Sequence, residues 1–189
     1  MTNDIYDPMQ AVCAALEACG LDHAVTGSIA SSVHGEPHST LDVDICLRLG
    51  PQQIDELIRR IPRRFYCSRA MVEEAVANCT MVNLIDNESP YKVDLSILPA
   101  EPFYKSVLSR RKKIVYGPDG PVAWTVTPED IILMKLLWRK DTLSQKQWEN
   151  ALSVAQVWGA RLDWRYMREW GGHLAISEDL QKLMVAADI

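Results

Sequence analysis

Hydrophobic residues recur at three- and four-residue steps over Met9, Val12, Cys13, Leu16 and Cys19, and Gly20 follows, a pattern that predicts an amphipathic helix ending there. Ala24-Val25-Thr26 reads as a short strand running into Gly27-Ser28, and Ile29 to His34 as a helix start with small residues suited to close packing on a sheet. Gly35-Glu36-Pro37-His38 breaks that pattern. From Leu41 to Leu47 polarity alternates, with Val43, Ile45 and Leu47 on one face and Asp42, Asp44 and Cys46 on the other, which predicts a strand. Pro51 opens a helix through Ile54, Leu57, Ile58 and Ile61, and Pro62 ends it. Residues 68–78 read as a further helix that Ser68 could cap.

Strand patterns then resume. Thr80 to Asp86 and Tyr91 to Leu98 flank an Asn87-Glu-Ser-Pro90 turn, the pattern of a hairpin, and Ala123 to Val126 is another strand. From Thr127 onward the chain reads as helices over 131–139, 144–158, 164–170 and 177–187. Thr127 with Asp130 resembles a capping box, with Pro128 at the first helical position. The tryptophans at 124, 138, 148, 158, 164 and 170 all fall in this second half. The expected class is α+β: a core over 1–126, followed by a helical subdomain over 127–189 packed on it.

Composition narrows the function classes. With 189 residues, 48% hydrophobic and 24% charged, the chain can bury a sizeable core and is not disordered. Twenty basic against 25 acidic residues give a net charge of −5, which argues against non-specific binding along a nucleic-acid backbone. Arg110-Arg-Lys-Lys113, with Arg59, Arg60, Arg63, Arg64 and Arg69, is either a local patch for an RNA acceptor or a solvated face, and the acidic balance favours the second. Five scattered cysteines without a Cys-x-x-Cys pair fit a reducing compartment. The first residues carry acids rather than the basic and apolar run of a secretory signal, and no window reaches the ~20 apolar residues of a membrane span. A soluble, cytoplasmic protein with no membrane partner is expected.

The chemistry concentrates on one strand face. Asp42 and Asp44, two residues apart, leave the same face with α-carbons roughly 6.5–7 Å apart. Two such carboxylates remain ionised together when a divalent cation lies between them, and magnesium prefers carboxylate and phosphate oxygens. Asp94 occupies the polar face of the alternating run Lys92-Val-Asp-Leu-Ser96, so three carboxylates converge if the two strands are neighbours. Upstream, Gly27-Ser28 stands between a strand and a helix, where amides and a hydroxyl can hold phosphate oxygens. Singly, each element reads equally as a polar edge or a turn; order and spacing together point to metal-assisted phosphoryl or nucleotidyl transfer.

Gly27-Ser28, then Asp42-Val43-Asp44, then Asp94 about fifty residues on, resemble the signature of the DNA polymerase beta-like nucleotidyltransferase superfamily. The run from Val25 to Ile45 resembles its small prokaryotic branch with abortive-infection type nucleotidyltransferases, and residues 127–171 resemble the helical tail of that branch. The resemblance implies a nucleotidyltransferase-like mixed sheet flanked by helices, binding a nucleoside triphosphate with two magnesium ions. It implies that Asp42, Asp44 and Asp94 are catalytic and hold the metals, that Asp94 also helps deprotonate the acceptor hydroxyl, and that Gly27 and Ser28 hold the β and γ phosphates. Lys135 would reach the triphosphate. An arginine often found just after the Gly-Ser is absent, Ser31 and Ser32 standing there instead. The expected activity is transfer of a nucleoside monophosphate to an acceptor hydroxyl on a protein, an RNA or a small molecule. The alternative is a non-catalytic nucleotide-binding or interaction module, such as one half of a toxin-antitoxin pair, with the tryptophan-rich region offering an oligomer contact. His34 and His38 read either as orienting substrate or as structural or solvent-facing, the second being favoured, and Thr40 as satisfying backbone groups.

Overall fold

The computed structural model describes residues 4–117 and 119–189. In chain order its elements are α1 (Tyr6–Ala18), β1 (His23–Val25), α2 (Gly27–His34), β2 (Asp42–Leu47), α3 (Ile54–Arg60), β3 (Phe65–Tyr66), α4 (Arg69–Asn78), β4 (Met81–Asp86), β5 (Lys92–Ile97), α5 (Pro102–Arg110), β6 (Lys112–Val115), β7 (Val122–Thr125), α6 (Pro128–Thr142), α7 (Gln145–Trp158), α8 (Trp164–His173) and α9 (Ser177–Ala186). Contacts divide the chain into two compact units, Met1–Thr26 with Thr40–Thr125, and Gly27–Ser39 with Val126–Ile189.

The first unit holds the sheet, whose seven strands among the described residues run in the order β3-β4-β5-β2-β1-β7-β6. The sheet is mixed: β2 is parallel to β5 and β1 to β7, while the other neighbours are antiparallel. On one face, Val43, Ile45 and Leu47 of β2, Val93 and Leu95 of β5 and Leu84 of β4 are fully buried, as are Met9, Val12 and Leu16 of α1. Helix α1 contacts β5, β7 and α3, and α4 contacts β4. Each fully buried aliphatic side chain of this layer contributes about 1.5–3 kcal/mol, so the alternation seen in β2 decides which way the strand faces.

The hairpin β4–β5 forms as expected, and its turn is fastened by Asp86, which accepts from the Ser89 hydroxyl at 2.7 Å and the Glu88 amide at 3.1 Å. Three short elements escape the pattern. Strand β3 has two residues, α5 starts at Pro102, and β6 is a sheet edge whose Lys112 and Lys113 blur its period of two. Pro51 starts a 3-10 turn, Pro51–Gln53, before α3 begins at Ile54. Ser68 stands at the N-terminus of α4, but its hydroxyl makes no capping bond. Trp124 lies on β7, so the tryptophans are not confined to the helical region.

The second unit is built around α6, whose Ile131, Ile132, Leu133, Met134 and Leu136 are fully buried. Helices α2, α7, α8 and α9 contact it. Thr127 caps α6 by accepting from the Asp130 amide at 3.3 Å, and its own hydroxyl donates to the Asp130 carboxylate at 2.8 Å. Helix α2 packs against α7 so closely that a Cβ on Gly35 would stand 2.6 Å from Ser153 Oγ and 3.0 Å from the Val154 amide nitrogen.

Candidate active site

Strands β2 and β5 lie side by side and parallel, with Asp44 opposite Asp94 and Asp42 opposite Lys92. All four side chains leave the same face, because alternate residues of a strand do so and paired residues of neighbouring strands share a face. Asp94 is nearly buried: its Oδ1 accepts from the Asn83 amide at 2.6 Å and its Oδ2 from Lys92 Nζ at 2.9 Å. The same Nζ lies 3.5 Å from Asp42 Oδ1. Two carboxylates from neighbouring strands thus converge on one cation. The hydrogen bond from Lys92 to Asp94, with the nearby charges of Asp94 and Asp42, raises the lysine above its ordinary value and holds it protonated. Asp42 and Asp44 are half-buried, and Thr40 Oγ1 accepts from the Asp42 amide at 3.2 Å, so Thr40 does satisfy the backbone here.

Strand β1 ends beside this face. The Thr26 amide donates to the Asp44 carbonyl at 2.9 Å, and the next residue, Gly27, adopts φ +61° and opens α2. A positive φ is readily taken by glycine and strained for other residues, which accounts for glycine at this strand-to-helix corner. Ser28 is buried in the first turn of α2, and Ser31 Oγ donates back to the Gly27 carbonyl at 2.9 Å. Lys135 is buried on α6, its Nζ 5.4 Å from the Trp138 ring centroid.

The remaining candidates make contacts of their own. His34 is buried, its Nε2 donating to the Val126 carbonyl at 2.8 Å, and its ring meets Trp158 edge-on at 5.9 Å. Burial pushes its pKa down, opposed by that hydrogen bond. His38 Nδ1 lies 3.0 Å from Ser32 Oγ. Much of the basic set is engaged by acids nearby: Arg59 and Arg60 with Glu56, Arg69 with Asp55 and Glu73, and Arg64 with Asp7. Arg111 pairs with Asp22 at 2.7 Å and lies over Trp124. A cavity of about 400 Å³, lined in part by Leu21, Arg48, Gln53, Cys79 and Leu98, opens near the opposite end of β2 and β5 from Asp42.

The oxygen donors of Asp42, Asp44 and Asp94 are the right chemistry for magnesium, and two of them, Asp42 and Asp94, already hold the Lys92 ammonium. Among the described residues no three His, Cys, Asp or Glu side chains stand close enough to hold a metal ion as they are placed. Asn83 and Lys92 are the site residues that sequence reasoning passed over. Both were within reach. Lys92 is two residues from Asp94 on the same strand face, and a hairpin folded symmetrically about 87–90 sets Asn83 opposite Asp94.

The seven-stranded mixed sheet with its flanking helices matches nucleotidyltransferase-like folds. No family model and no curated protein matches the sequence. Among solved structures, the chain is similar to the antibiotic-resistance factor ANT(2'')-Ia in solution, at 11% identity and TM-score 0.54, over 94% of this chain and 96% of that one. It is also similar to the crystal structure of an antigenic nucleotidyltransferase-like protein from Paracoccidioides brasiliensis, at 16% identity and TM-score 0.53, over 96% of this chain and 93% of that one. At these identities the likeness establishes the fold. No helix among the described residues is long and apolar enough to cross a membrane.

Proposed function

We propose that the protein is a metal-dependent nucleotidyltransferase that moves a nucleoside monophosphate from a nucleoside triphosphate to an acceptor hydroxyl. The observation that carries this reading is the register of β2 against β5, which sets Asp44 opposite Asp94 and lets Asp42 and Asp94 meet at one cation. Asp42, Asp44 and Asp94 would hold two magnesium ions. When bound, these ions neutralise the triphosphate and favour the ionised acceptor oxygen. The Gly27 and Ser28 amides and the Ser28 hydroxyl grip the β and γ phosphates, and Lys135 adds positive charge. Asp94, aligned by Asn83, takes part in removing the acceptor proton. The acceptor oxygen then bonds to the α-phosphorus, the bond from that phosphorus to the bridging oxygen breaks, and pyrophosphate leaves.

The small prokaryotic, abortive-infection type branch belongs to the same reading, on the run from Val25 to Ile45, and so does a cytoplasmic setting, on the five free cysteines. A second reading, a nucleotide-binding or interaction module without turnover, draws on one observation: Asp42 and Asp94 already share a cation, the Lys92 ammonium. The two are separated by incubating the protein with magnesium, a cell lysate and each α-³²P-labelled triphosphate in turn. Transfer of label to an acceptor by wild type and not by Asp44→Asn supports the enzyme. Absence of label with all four triphosphates removes it in favour of the module.

A further inference from the structure

The residues around Asp94 pose a charge problem that Lys92 solves. The Asp94 side chain is only 5% exposed, and a carboxylate so far out of water is tolerated when paired. Its two oxygens are both engaged, one by Asn83 Nδ2 and the other by Lys92 Nζ. Lys92 also reaches Asp42, across the strand pair that would hold the metals. A magnesium ion binds carboxylate oxygen at about 2.0–2.1 Å. An ammonium at 2.9 Å from Asp94 Oδ2 therefore stands where the ion's charge would be concentrated, and repels it. The lysine is not trapped there: its side chain is 41% exposed and ends a flexible four-carbon stem.

We propose that Lys92 is a positioning residue that acts as an exchangeable internal cation, holding Asp42 and Asp94 together in the metal-free protein and yielding them when a divalent ion binds. The inference rests on the assignment of Asp42, Asp44 and Asp94 as metal ligands and adds a competitor to it. The consequence is that the site is intact before it is loaded, and that metal affinity is lower than three carboxylates alone would give. Lys92 thus sets how much divalent cation the protein needs. The lysine makes no covalent bond, and the exchange moves only a charge.

The test is Mn²⁺ binding, followed by electron paramagnetic resonance of the free ion, together with the melting temperature in EDTA and in saturating Mn²⁺. It is made on wild type, Lys92→Met, Lys92→Gln, Lys92→Arg and Asp94→Asn. Lys92→Met and Lys92→Gln are expected to bind Mn²⁺ more tightly than wild type, on the order of tenfold, because a neighbouring positive charge is removed. They should melt below wild type in EDTA, where Asp94 is left unpaired, and recover most of that difference with Mn²⁺. Lys92→Arg, which keeps the charge, should stay within about twofold of wild type in affinity, and Asp94→Asn should bind poorly. If Lys92→Met fails to fold, Lys92→Gln carries the comparison, being polar at a half-exposed position. Unchanged or weaker binding by the neutral variants, with wild type still binding Mn²⁺, overturns the exchange and leaves the metal assignment standing. No Mn²⁺ bound by wild type or by any variant overturns the metal assignment, and the exchange with it.

Discussion

The carboxylates of β2 and β5 and the polar side chains around α6 are held in different ways. On β2 and β5, Asp42 and Lys92 are 46% and 41% exposed beside the nearly buried Asp94, and the flexible lysine bridges the two carboxylates. In the helical unit the polar groups are buried and tied to fixed partners. His34 donates to a main-chain carbonyl, Thr127 and Asp130 bond each other, and Tyr166 donates to Asp130 at 2.6 Å. A buried polar group held by a rigid partner contributes to a unique packing, whereas one held by an exchangeable partner on an open face can give that partner up to a ligand. Among the polar residues of the helical unit, His34, Thr127 and Asp130 are held in the helical packing.

The contrast can be broken most decisively at the carboxylates. Asp94→Asn should lower label transfer by about 10²–10⁴-fold if the group takes part in proton removal, measured as initial rates at saturating triphosphate. A loss confined to triphosphate affinity would make Asp94 a ligand only. On the helical side, Gly35→Ala should lower stability by about 1–3 kcal/mol in thermal or urea denaturation, because the new methyl meets Ser153 and the α7 backbone. Ser153 is pinned, its Oγ accepting from the Glu36 amide at 2.7 Å. That substitution should leave Mn²⁺ affinity unchanged.

Capping sharpens the comparison with a smaller effect. Thr127→Ala should cost about 1 kcal/mol, since the Thr127 hydroxyl caps α6, and Ser68→Ala only a few tenths, since Ser68 makes no such bond. Paired denaturation curves check the difference. The smallest effect is a slope in pH. Burial lowers the pKa of His34 in the folded protein, so the unfolded chain binds more protons and stability falls as pH drops below the ordinary imidazole value of 6.5. Denaturation midpoints from pH 8 to 5 should show that fall, and His34→Gln should reduce its slope. His23, buried with its Nδ1 on the Leu21 carbonyl, is shifted the same way and retains its share.

The alternation of β2 was legible because Val43, Ile45 and Leu47 are fully buried while Asp42 and Asp44 on the other face are only half-buried, so the sequence carries a period of two. The hairpin β4–β5 was legible because a short turn leaves little freedom of register. The pairing of Asp44 with Asp94 was not, since a parallel neighbour reached through α3, β3, α4 and β4 has no local signal for its register. Helix α2 shows the same limit: the small residues of 29–34 announce close packing, yet the helices that α2 contacts, α6 and α7, lie far along the sequence, beginning at Pro128 and Gln145. Cys46 marks another, for it shares the polar face of β2 yet is fully buried, its Sγ at 3.4 Å from the Ala24 carbonyl. A strand pattern tells which face a residue takes and not what covers it.

The central claim is that the sheet face binds a nucleoside triphosphate through a divalent cation. The most direct measurement is the melting temperature of wild type and Asp44→Asn with ATP, GTP, CTP and UTP, each in magnesium and in EDTA. A ligand present at a hundred times its dissociation constant adds about 2.7 kcal/mol, a rise of about 5–10 °C for a chain of this size. A rise with at least one triphosphate, in magnesium only and in wild type only, is the predicted result. No rise with any of the four, or an equal rise in Asp44→Asn, contradicts the account.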